Sequence, residues 1–165
     1  MDNQQATPAE LGWLAGILDG EGYVALATRF QRGRTNKNYI SCIEISNTEP
    51  NLLLKVRDIT TKLGVNLHVK EHKPAKTGNR VVFKLECHRF PGVKAILEAT
   101  LPYLTCKAKR AKLILDFIES RQARKFSNTP YNDGERALVY AVQDLTRSGE
   151  SSQTTRETLR KPAQR

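Results

Sequence analysis

Apolar residues recur at helical spacing from Leu11 onward. On a wheel turning about 100° per residue, Leu11, Leu14, Ile17 and Leu18 share one side, and Gly12, Ala15, Gly16 and Asp19 gather on the other. Thr7-Pro8-Ala9-Glu10 is a capping box with proline at the first helical position, so the helix begins there. It ends at Asp19-Gly20-Glu21-Gly22, where the period drops to two. Residues 23–31 set Val24, Leu26, Thr28 and Phe30 against Ala25, Ala27, Arg29 and Gln31. After the basic, turn-rich Arg32-Gly33-Arg34-Thr35-Asn36-Lys37-Asn38, residues 39–46 return with Ile43 and Ile45 inward and Asn38, Ile40, Cys42 and Glu44 outward. The pattern predicts a β-hairpin with one apolar and one mixed polar face.

Asn47-Thr48-Glu49-Pro50 starts a second helix carrying Leu52, Leu53, Val56, Ile59 and Leu63, and Gly64 stops it. A second hairpin is predicted next. Val65, Leu67 and Val69 alternate with Asn66, His68, Lys70 and His72, and Val81, Phe83, Leu85 and Cys87 alternate with Arg80, Val82, Lys84 and Glu86. The intervening loop, Lys73-Pro74-Ala75-Lys76-Thr77-Gly78-Asn79, is again basic and turn-rich. Pro91 opens a short helix through Val93, Ile96, Leu97 and Leu101. A longer one over 107–124 buries Ala111, Ile114, Leu115 and Ile118, and Asn132-Asp133 caps a last one through Leu138, Ala141, Val142 and Leu145.

The expected class is therefore α+β, an αββαββα order with C-terminal helices. A four-stranded antiparallel sheet carries helices on its apolar face. One domain spans 1–147, and 148–165 reads as a polar tail, mobile when unbound. The other sheet face carries Arg29, Gln31, Glu44, Asn66, His68, Lys70, His72, Arg80 and Lys84. Arg32, Arg34, Lys37, Asn38 and Lys76 stand in the hairpin loops at its ends. A twisted two-stranded ribbon fits the DNA major groove, where such side chains reach base edges and phosphates.

Charge strengthens that reading. Lys and Arg number 27 against 17 acids, for a formal net charge of +10. A polyanionic partner is implied, nucleic acid before membrane, since no amphipathic basic helix, lipidation motif or transmembrane run occurs. Cys42, Cys87 and Cys106 have no paired spacing, so neither a disulfide framework nor a zinc site is implied, and they read as reduced, partly buried thiols of an intracellular protein, organellar or cytoplasmic. His68 and His72, four apart on a strand, would lie about 13 Å from one another, too far to share a metal. No Ser-His-Asp set or nucleotide-binding glycine loop occurs.

Glycine inside a helix costs roughly 0.5–1 kcal/mol against alanine, so the small face of the first helix needs a reason. Close approach of a partner helix supplies one. If the partner is the same helix of a second chain, a two-fold axis brings two copies of Glu21 together. Paired carboxylates at the negative ends of two helix dipoles are tolerable mainly with divalent cations between them. Oxygen ligation suits magnesium, and paired metals suit phosphodiester hydrolysis.

Leu14-Ala15-Gly16-Ile17-Leu18-Asp19-Gly20-Glu21-Gly22 resembles the nine-residue signature of the LAGLIDADG homing endonucleases, matching it at Leu14, Ala15, Gly16, Asp19 and Gly22. Glu21 stands for the final acid and Gly20 for a small residue. The element order over residues 6–147 is also that of the family. The resemblance implies a saddle-shaped sheet on DNA. With one copy of the motif, it implies a homodimer cutting both strands of a long pseudo-palindromic site across the minor groove, leaving short 3′ overhangs. It implies a Mg²⁺ site at Glu21 with the Gly20 carbonyl as a further ligand, and a dimer interface of Gly12, Ala15, Gly16 and Asp19. For Asp19 a structural role near the helix end is expected ahead of direct metal ligation. Lys107, in Leu101-Pro102-Tyr103-Leu104-Thr105-Cys106-Lys107, takes the place of an active-site lysine, or is a solvated first-turn residue. Asn47 matches a polar amide that orders water, or caps the second helix. A second basic active-site residue of some members has no counterpart near Leu52-Leu53-Leu54. Two alternatives use the same scaffold: an RNA-binding maturase acting on its host intron, and a cleavage-inactive DNA-binding regulator.

Overall fold

In a computed structural model the chain is described over residues 5–30, 37–72, 80–124 and 129–148. The elements are α1 (Pro8–Gly20), β1 (Gly22–Phe30), β2 (Lys37–Asn47), α2 (Pro50–Lys62), β3 (Lys70–His72), β4 (Val82–Cys87), α3 (Phe90–Thr100), α4 (Ala108–Ala123) and α5 (Asp133–Ser148), with a 3-10 turn at Leu101–Tyr103. The sheet is antiparallel throughout, in the order β1-β2-β4-β3. The expected class and element order are those observed.

Each helix start follows from its sequence. Thr7 Oγ1 accepts the Glu10 N–H at 3.3 Å while the Glu10 carboxylate accepts the Thr7 N–H at 2.9 Å. At α2 the cap is Glu49, whose carboxylate accepts the Asn51 N–H, and Asn47 stands outside it with Oδ1 on the Glu49 N–H at 2.9 Å. Asn132 and Glu135 satisfy one another's backbone N–H groups at the start of α5, at 2.7 and 3.0 Å.

The core lies between the helices and one sheet face, where Val24, Leu26, Ile43, Ile45 and Leu85 meet Leu14, Leu18, Val56, Ile96, Ile114 and Val142, all nearly or fully buried. Ala15 belongs to this core, at 0% exposure. That corrects its expected place on the partner face: the inward stripe of α1 is wider than Leu11, Leu14, Ile17 and Leu18, and the small side chain fills it. Leu11 and Ile17 are only half-buried.

The second hairpin is shorter than predicted. Residues 65–69 form no strand. The reason lies at the end of α2, where Gly64 takes φ +76° and the Val65 N–H turns back to the Thr60 carbonyl at 2.9 Å. Val65 and Leu67 then drop into the core. The segment stands off the end of β4, and residues 63–68 and 86–89 line an open groove of about 780 Å³.

Candidate functional site

The C-terminal end of α1 is built by a reciprocal exchange of charge with the start of α4. The Asp19 carboxylate receives three backbone N–H groups that precede or open α4: Thr105 at 2.7 Å, Cys106 at 3.1 Å and Lys107 at 2.9 Å. In return, Lys107 Nζ donates to the Leu18 carbonyl at 2.6 Å and the Asp19 carbonyl at 2.8 Å. An anion thus sits at a helix N-terminus and a cation at a helix C-terminus, each where the dipole favours it. Asp19 is accordingly held within its own chain, in the structural role at the helix end that its position in the sequence suggested.

Beyond this clasp the chain turns sharply into β1. A Cβ on Gly22 would lie 2.7 Å from the Leu18 carbonyl oxygen and 2.8 Å from Leu18 Cα, so only glycine fits the turn. Glu21, between helix and strand, is exposed, its own N–H bonded to the Ile17 carbonyl at 2.8 Å. Among the described residues, and leaving aside the backbone of α1 itself, nothing lies within 4 Å of where a side chain on Gly20 or Gly16 would start, and both are exposed. A Cβ on Gly12 would instead lie 3.8 Å from the Tyr103 ring of its own chain. Of the expected partner face, Gly16 stays open, flanked by half-buried Trp13 and Ile17 and followed by Gly20.

The outer sheet face is less simply basic than the sequence suggests. Register places Tyr23 beside Glu44 and Glu44 beside Glu86, with Lys70 next to Lys84. Lys84 Nζ pairs with Glu44 at 2.5 Å and Glu86 at 3.0 Å, and Lys70 with Glu86 at 2.7 Å. The hydrogen bonds from Lys70 and Lys84 hold the Glu86 carboxyl down at about 2. Burial pushes the Glu44 carboxyl upward, but Lys84 and the Cys42 thiol outweigh it and bring it below its ordinary value. Lys84 is raised by Glu44 first and then Glu86.

Arg29 and His72 stand exposed on the strands, Asn38 is half-buried opposite Arg29, and exposed Arg80 just precedes β4. Asn66 and His68 are exposed but lie off the sheet, lining the groove beside β4, because their segment never joins the ladder. Gln31, Arg32, Arg34 and Lys76 lie outside the described residues, as does the side chain of Lys37.

Sequence reasoning missed Glu86 as the carboxylate centre of the lysine pairs, although its alternation with Lys84 placed both on one face. It also missed two buried charges. Arg110, 6% exposed, donates to the Leu145 carbonyl at 2.9 Å and the Val24 carbonyl at 3.4 Å, tying α5 and β1 around α4. Glu135, 1% exposed, is held by Arg124 at 3.0 Å and Arg121 at 3.5 Å, and the Asn132-x-x-Glu135 spacing of a reciprocal cap is its one sequence signal. Cys42 and Cys87 are buried and Cys106 exposed, all three as free thiols. Among the described residues no helix is long and apolar enough to cross a membrane.

A helix ending in a clasped Asp19 and an exposed Glu21, followed by two hairpins on one antiparallel sheet, defines a LAGLIDADG-like architecture. The chain matches the LAGLIDADG-like domain over residues 8–159 and belongs to that family. Solved structures agree in fold. The homing endonuclease I-CvuI, crystallised with the I-CreI target in the presence of 2 mM Mg, is 22% identical over 92% of each chain, with a TM-score of 0.63. The archaeal intron-encoded homing endonuclease I-Vdi141I, complexed with DNA, is 15% identical over 88% of this chain and 86% of its own, with a TM-score of 0.61. I-SmaMI, bound to cleaved DNA, is 14% identical over 98% of this chain but 52% of its own, with a TM-score of 0.61. A comparison with curated protein sequences finds no match.

Proposed function

We propose that this chain is a site-specific double-strand DNA endonuclease of intron homing, acting as a homodimer with Mg²⁺. The observation that carries the reading is the exposed Glu21 carboxylate at the sterically open end of α1, held in place by the Asp19–Lys107 clasp. An oxygen-only donor set of Glu21 and the Gly20 carbonyl fits a hard divalent cation. When bound there, such an ion supplies an activated water and charge stabilisation at a scissile phosphate. I-CvuI has been crystallised on its target with 2 mM Ca, in keeping with a divalent ion in that protein.

The chain's own residues do the positioning. Lys107 offsets the negative end of α1 and offers positive charge where a phosphate would approach Glu21. Asn47 has Oδ1 committed to the Glu49 N–H, which orients its amide N–H groups as donors to water. Open Gly16 and Gly20 leave room for the same helix of a second chain. Two such chains also match the length of I-SmaMI, of which this one spans about half. On the sheet, Arg29, Asn38, His72 and Arg80 face a duplex, and the neutralised Lys70 and Lys84 make its centre a reader of base edges more than a phosphate clamp.

The test is cleavage of a randomised duplex library in magnesium, with sequencing of the ends and a calcium control. Recovered ends sharing one pseudo-palindromic sequence support the reading. Firm duplex binding without cuts would replace it with a regulator, and preference for structured intron RNA over duplex with a maturase.

A further inference from the structure

On the outer sheet face three side chains of different chemistry converge. The pairing of Ile43 with Cys87 brings Cys42 alongside His88, which directly follows β4, and Glu44 lies two residues along β2 on the same face. The Cys42 sulfur, a Glu44 carboxylate oxygen and a His88 ring nitrogen all fall within 4.8 Å of one another. Cys42 Sγ and Glu44 Oε1 are already 3.1 Å apart. Zinc bonds of about 2.0–2.3 Å set tetrahedral ligand atoms roughly 3–4 Å apart, so a small side-chain rotation closes the set.

We propose that Cys42, Glu44 and His88 form a Zn²⁺ site with one open coordination position. A thiolate and an imidazole select a borderline-soft ion and not magnesium, so this site is chemically distinct from the oxygen donors at Glu21. Its burial is graded: Cys42 is enclosed, Glu44 half-buried and His88 exposed, so the ion is walled on one side and open to solvent on the other. Glu44 can leave Lys84 without stranding it, because Lys84 also reaches Glu86 at 3.0 Å. On binding, the Cys42 S–H bond breaks, its proton passes to solvent and a Zn–S bond forms. Two positive charges arrive and one proton leaves, so the loaded face gains one unit of positive charge.

The experiment is a titration of the reduced full chain with Co²⁺, following thiolate-to-cobalt charge transfer in the near ultraviolet, then displacement by Zn²⁺. We expect about one ion per chain, displaced by stoichiometric zinc. The band should vanish in Cys42→Ser, persist in Cys106→Ser, and need more than about tenfold more cobalt in His88→Ala. His88 is exposed, so its replacement leaves the core intact and stays informative even if Cys42→Ser misfolds. No band in the wild type, a band undiminished in His88→Ala, or one lost with Cys106→Ser would overturn the site.

Discussion

Asp19 and Lys107 show how two single side chains fix the distance between elements 88 residues apart. The carboxylate satisfies three N–H groups at the head of α4, which otherwise have no partner within their helix. The ammonium covers two carbonyls at the tail of α1. Hydrogen bonds to charged groups contribute about 1.5–3 kcal/mol each in favourable settings, but these are partly exposed and shared. Asp19→Ala should therefore lower stability by about 1–3 kcal/mol in urea titration, with Asp19→Asn intermediate. A second residue, Glu10, answers to pH. Lys62 at 2.6 Å, with the Thr7 N–H, holds its carboxyl at about 2, below the ordinary 4.5. A depressed acid contributes stability that is full above the unfolded value and fades as pH falls through the folded one. The urea midpoint difference between wild type and Glu10→Gln should be largest near neutrality and should shrink between about pH 4.5 and 2.

At the scale of elements, the joint between α1 and β1 is the tightest in the described chain that the motif controls. Gly22→Ala would drive a Cβ into the Leu18 backbone, which cannot move aside like a flexible side chain. A loss of about 1–3 kcal/mol is expected, with weakened catalysis because Glu21 shifts with the turn, checked by thermal unfolding beside cleavage rates. Most elements were legible because caps and periodicity agreed: Thr7 with Glu10, Gly64 after α2, and the alternation of Val24 and Leu26 with Ala25 and Ala27. What sequence hid depended on tertiary partners. Alternation over 65–72 read as one strand, yet the backbone bond from Val65 to Thr60 diverts its first half. Ala15 read as part of a small partner-facing stripe, yet a methyl group fits a narrow core gap as well. Lys70 and Lys84 read as free cations because no local pattern discloses their pairing with Glu86 and Glu44 across the sheet.

For the whole molecule, association and charge set the behaviour. Gly16 is exposed with open space above it, so Gly16→Gln should leave the single chain folded by circular dichroism. The same variant should sediment as a monomer and fail to cut both strands, whereas a dimer of wild-type affinity would remove α1 from the interface. Two chains of net charge +10 should bind duplex with an affinity that falls steeply as salt rises, through release of condensed counterions. The proposed function puts one carboxylate per chain, Glu21, at the reacting phosphate. The direct measurement is cleavage by Glu21→Gln beside the wild type, on the target recovered from the library, with duplex affinity measured in the absence of metal. The account predicts cleavage reduced roughly 10²–10³-fold or more, with metal-free affinity unchanged. Cutting at the wild-type rate by Glu21→Gln would contradict it.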